Sequence, residues 1–137
     1  MKIKLFLIAL MALFAVSCKV TLVPQQSLVI KQELSTIKAL TGNLMVDIKT
    51  ATNKQYLNFD AKYQEIDVLY DSVIVQQNRR VKAKNLLTIS TNCQSAFVSF
   101  QSYHKRKDTL ADSEIDITKS QFDALINPLI WAEEKLK

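Results

Sequence analysis

Glycine is almost missing from this chain: Gly42 is the single one among 137 residues. That shortage excludes glycine-cradled phosphate loops and the G-x-G-x-x-G dinucleotide turn, and it leaves few of the positive-φ positions that hairpins need. An all-β or nucleotide-binding chain is therefore not expected. Histidine is equally scarce, with His104 alone, so a His-rich metal centre is excluded and a catalytic dyad has one candidate imidazole. Two prolines, Pro24 and Pro128, and two cysteines, Cys18 and Cys93, complete the rare residues. What is present in quantity is apolar side chain, 48% of the sequence, against 23% charged with a formal net charge of +5.

The first eighteen residues combine Lys2 and Lys4, an apolar run from Leu5 to Val16, and then Ser17-Cys18. A basic start, a short apolar core and small residues before a cleavage point describe a signal peptide. The run is too short to span a bilayer, which takes about 20 residues. Ala15-Val16-Ser17-Cys18 resembles the lipobox of bacterial lipoproteins. The resemblance implies cleavage before Cys18, thioether diacylation of its sulfur and acylation of the new amino terminus, and several acyl chains together make a stable anchor. Lys19, rather than Asp, follows the Cys, which resembles an outer-membrane-sorted signal, and the periplasmic face of that membrane is the expected address. The chain then divides into a cleaved leader (1–17), a lipidated cysteine and tether (18–26) and one helical domain (27–137). Lipid consumes Cys18, so Cys93 has no disulfide partner and the domain must hold together by packing.

Lys19 to Gln26 lacks a helical period and spans about 25 Å if extended. Ser27 is the expected N-cap. Ile30, Leu34, Ile37, Thr41, Leu44, Ile48 and Ala51 then recur at steps of four and three, the seam of a helix packed lengthwise on partners. The next apolar row, Tyr56, Phe59, Tyr63, Ile66, Tyr70 and Val73, is displaced by one residue, about 100° around a helix. A break is therefore expected near Thr50 to Lys54. Extending the second row reaches the polar Gln77, Arg80 and Lys84, whereas a third row runs Leu86, Ile89, Cys93, Ala96, Phe100 and Tyr103. A second break is expected between Gln77 and Asn85, with Asn85 as cap; one long helix through Arg79 and Arg80 is the alternative. Residues 105–117 show no steady period, and Thr118-Lys119-Ser120-Gln121 has the form of a capping box opening a fourth helix that Pro128 would kink or delay. Four helices in an up-down bundle, an all-α fold, are the expectation.

Two basic clusters stand out: Arg79, Arg80, Lys82 and Lys84 at the second break, and His104, Lys105, Arg106 and Lys107 at the end of the third helix. Cations complement the dipole at helix C-termini, which accounts for their placement without any function. In an up-down bundle tethered at its first helix, the first cluster would meet lipid headgroups and the second, with Trp131, would meet a partner. Nucleic acid is not an expected partner in that compartment. The Tyr56 to Tyr70 row is expected in the core, and as a groove is the alternative. Asp112, Glu114 and Asp116 alternate like the start of a Ca²⁺ loop, but Ile117 and Asp123 stand where Gly and Glu are needed, so a solvated acidic loop is expected and no metal site. Cys93 would need His104, about 16 Å along the same helix, to act as a nucleophile. No acid, base and nucleophile assemble, and no cofactor is implied. The expected role is a non-enzymatic, lipid-anchored accessory or structural subunit of an envelope complex. A small binding protein for an acyl, glycan or peptide ligand, or an inhibitor or exclusion factor, is the alternative.

Overall fold

The computed structural model describes residues 26–136. The leader, Cys18 and the tether up to residue 25 lie outside the described residues, as does Lys137. Four α-helices follow in order: α1 (Leu28–Thr50), α2 (Asp60–Arg79), α3 (Lys84–Lys107) and α4 (Asp112–Lys135), with a 3₁₀ turn at Tyr56–Asn58 before α2. No strand occurs among the described residues, and none of these helices is long and apolar enough to cross a membrane. Each helix packs on its sequence neighbour and α4 closes the ring against α1, while the backbones of the diagonal pairs stay apart. This is the up-down four-helix bundle expected from three apolar rows, the breaks between them and a fourth helix near the C-terminal end.

The first two seams match the sequence pattern. Ser27 caps α1, its hydroxyl accepting from the Ile30 N–H at 3.3 Å, and Ile30, Leu34, Ile37, Thr41, Leu44 and Ile48 are buried behind it. In the α1–α2 link, the Asn53 side chain accepts from the Gln55 N–H at 3.1 Å, the local bond that lets Asn compete with helix. Tyr56, Phe59, Tyr63, Ile66, Tyr70 and Val73 are all core.

Three expectations change. The break between α2 and α3 falls at residues 80–83, inside the expected interval from Gln77 to Asn85 and turned by Lys82 at φ 64°, but Asn85 lies inside the first turn of α3 rather than capping it; Ala83 holds the cap position. The buried positions of α3 are Leu86, Ser90, Cys93, Phe97, Phe100 and His104, so at every second step the core takes the residue after the expected one. Ile89, Ala96 and Tyr103 sit on the flank instead, half-buried. Finally, α4 begins at Asp112, six residues before the expected capping box. Its first turn is the acidic segment itself, favourably placed at a helix N-terminus, and the Glu114 carboxylate accepts from the Ala111 N–H at 2.8 Å. The helix continues through Pro128, which is exposed, so the carbonyl it leaves unbonded faces water.

Candidate functional surfaces

The two ends of the bundle are defined by hydrogen bonds between segments remote in sequence. At the base, where the chain enters, the buried Glu133 carboxylate of α4 accepts from the Ser27 N–H (2.8 Å) and from Arg80 Nη1 (2.8 Å). Arg80 Nη1 also donates to Gln77 Oε1 at 3.0 Å. The start of α1, the α2–α3 turn and the end of α4 therefore share one end. At the distal end the Tyr56 N–H donates to the Asp108 carbonyl at 3.0 Å, tying the α1–α2 link to the α3–α4 turn. Lys54 pairs with Asp112 (2.5 Å), Lys49 with Asp116 (2.7 Å) and Lys107 with Glu114 (2.5 Å). The acidic triplet is thus a largely exposed first turn of α4 whose carboxylates pair with α1, the α1–α2 link and α3, and not a loop. Among the described residues no group of three His, Cys, Asp or Glu side chains gathers as a metal set.

The first basic cluster lies at the base, as expected, but not all of it faces outward. Arg79, Lys82 and Lys84 are exposed, whereas Arg80 turns inward to Glu133, which removes it from the headgroup-facing set. The second cluster needs a larger correction. His104 is fully buried: its Nε2–H donates to the Lys54 carbonyl at 2.8 Å, and its Nδ1 accepts from the Tyr63 hydroxyl at 2.9 Å. The carbonyl can only accept, so the proton sits on Nε2. A side chain closed in this way meets no partner, because its place is the polar lid of the core. Lys105 and Arg106 remain outside, lying over the rings of Tyr56 and Tyr103 at 5.7 Å, while Lys107 is held by Glu114. Trp131 is exposed near the base, so it and the Lys105 to Lys107 cluster occupy opposite ends and do not form one surface.

The aromatic row is core throughout. Tyr56 stacks on Tyr63 with ring centroids 5.6 Å apart, and Tyr63 and Tyr70 both pack on Phe97 at 5.7 and 5.8 Å. A ligand groove along this row is overturned by that packing. The Tyr56 hydroxyl is shared between Asp60 and the Gln101 amide. Burial pushes the Tyr63 and Tyr70 hydroxyls well above their ordinary range and raises the Cys93 thiol to about 11. Such a thiol is a small hydrophobe at neutral pH rather than a nucleophile.

One concavity escaped the sequence reading. Between α3 and α4 an apolar cleft of about 410 Å³ opens to solvent, walled by Ala96, Phe97 and Phe100 on one side and Phe122 and Leu125 on the other, with the buried Met45 of α1 in its lining. Its volume falls in the range of small-molecule and side-chain sites. The signal lay in small residues: Ala96 and Ala124 stand on the cleft where larger side chains would close the two helices' seam. Comparison of the chain with family models, curated proteins and solved structures finds no match.

Proposed function

We propose that the chain is a lipid-anchored lipoprotein of a bacterial envelope, attached through Cys18 at the periplasmic face of the outer membrane. It acts there as a non-enzymatic accessory or structural subunit of a membrane-associated complex. The observation that carries the partner-binding role is the α3–α4 cleft. It is open and lined mainly by apolar side chains, with Thr118 and Gln121 on its α4 side and the exposed Leu125 in its wall. An apolar helix or strand presenting one large side chain would seat there, the mode by which a groove between helices takes an amphipathic segment. The lipobox-like sequence supports the anchor, and the cleft lies along the α3–α4 seam rather than at the end where Ser27 meets Glu133.

A second reading rests on the same cleft. Its apolar walls suit an acyl chain, and they offer little to a glycan, whose hydroxyls need polar partners. Both readings are tested by tagging the lipidated protein, extracting it in mild detergent and comparing it with Ala96→Phe, which fills the cleft. A stoichiometric protein lost with Ala96→Phe supports the accessory role. A copurified lipid lost in the same way supports the second reading, and retention of the partner by the filled variant rejects the cleft as the dock. Cys18→Ser separately tests the anchor, since it should abolish incorporation of labelled palmitate.

A further inference from the structure

We infer that the base of the bundle is itself a membrane-interfacial surface, one that engages anionic lipid headgroups independently of any acyl chain on Cys18. Four exposed apolar side chains gather at this end. Val81 in the α2–α3 turn is 78% exposed, Leu28 and Val29 open α1 at 73% and 57%, and Trp131 on the last turns of α4 is 61% exposed. Solvated loops and helix ends have no packing reason to carry them. Lys82, at φ 64°, makes the sharp turn that leaves Val81 at the tip.

The charges at the same end are unbalanced toward the positive. Glu133 is buried and occupied by Arg80 and the Ser27 N–H, and Glu134 is paired with Lys31 at 3.2 Å. The next carboxylate up, Glu33, accepts from Ser72 at 2.9 Å and from Gln76 at 2.6 Å. Against these, Arg79, Lys82 and Lys84 are exposed and make no ion pair with the described residues, and Lys135 lies over the Trp131 ring at 5.8 Å. Cations around a tip of aliphatic residues, with one Trp set slightly higher on the outer wall, match the layering of a headgroup region: the apolar tip dips in, the cations meet phosphates and the Trp rests at the interface.

An acidic protein surface would satisfy the cations but not the aliphatic tip. The position of the base adds to the argument. The chain enters the described bundle at Ser27, at this same end. Contact through the base points the distal end away from the bilayer. This deepens the anchored-lipoprotein reading without depending on acylation.

The test uses a chain begun at residue 19, which carries no acyl group and contains every described residue, with the buried core from Ile30 to Leu129. Its fold is checked by circular dichroism. Trp131 is the single Trp and serves as an internal reporter. With phosphatidylcholine vesicles containing phosphatidylglycerol at low salt, its emission should shift to the blue and be quenched by lipids brominated near the headgroup. The shift should vanish on pure phosphatidylcholine and fade at high salt. Neutralising three cations in R79Q/K82Q/K84Q should weaken partitioning about a hundredfold. Val81→Asp, at an exposed site that cannot unfold the bundle, should weaken it too. The distal pair K105Q/R106Q should change nothing. The inference is overturned by an unshifted spectrum on anionic vesicles at low salt, which would turn attention to an acidic protein, or by loss of binding in K105Q/R106Q instead of the base variants.

Discussion

At Glu133 one buried carboxylate joins three segments that the sequence separates widely, through Ser27, Arg80 and, by way of Arg80, Gln77. The pair with Arg80 is nearly sealed from water, with the Arg side chain 14% exposed and the Glu 0%. Removing one partner of a buried pair strands the other charge, so Arg80→Ala should destabilise the fold by about 3 kcal/mol in urea unfolding. Glu133→Gln leaves one oxygen for two donors that now use separate oxygens and strands the Arg80 charge, so it should cost about as much. A much smaller loss in Arg80→Ala than in Glu133→Gln would mean that the Ser27 contact, and not the ion pair, matters here. Which of Arg79 and Arg80 turns inward was legible in principle: Gln77 and Arg80 continue the second seam at steps of four and three from Val73. Their polarity reads as the end of the seam when it is in fact a polar layer answering Glu133, and that partner lies 53 residues away on another helix.

Among the elements, α1 and α2 were readable because their seams are regular rows in which only Thr41 is polar. The α3 row misleads because its inner face carries Ser90 and His104, while Ile89 and Tyr103 on the flank offer an equally regular pattern of greater hydrophobicity. Choosing between two rows one residue apart requires the facing helix: Tyr63 receives His104 only in the observed rotation. The start of α4 was missed because alternating acids resemble a loop, although acids in a first turn are what the helix dipole favours. Glu114 makes this testable. Its hydrogen bonds to Lys107, Tyr103 and the Ala111 N–H hold its carboxyl at about 2, below the ordinary 4.5. A depressed carboxyl stabilises the fold fully above its unfolded value and loses that contribution as pH falls from about 4.5 toward 2. Thermal melts across that window should therefore fall more steeply in the native chain than in Glu114→Gln, and parallel curves would contradict those bonds. Gly42 is a simpler case. A Cβ there meets nothing within 4 Å, so Gly42→Ala should raise stability by about 1 kcal/mol, read from the denaturation midpoint.

For the molecule as a whole, the layout that the three rows and their breaks imply is the layout found, a closed ring of four antiparallel neighbours. The cleft was not legible, because it arises where Ala96 and Ala124, on helices distant in sequence, line the same space, and from no motif in either. Cys93 gives a measure of how cooperatively the ring holds. It is fully buried at mid-helix, its thiol raised to about 11, so in a chain begun at residue 19 it should resist alkylation at neutral pH. It should become reactive at the same urea concentration at which helicity is lost. Reaction at lower urea would reveal opening of α3 on its own. The contact between Ser27 and Glu133 carries one more implication. Because the first and last helices meet at their outer ends, the bundle is a loop of four links in which the position of the opening is a matter of chain connectivity. Joining 26 to 136 through a short linker and opening the chain at 52–53 would give a circular permutant with every helix pair intact and both termini at the opposite pole. A lipid attached to that new terminus would hang the same bundle upside down from the membrane.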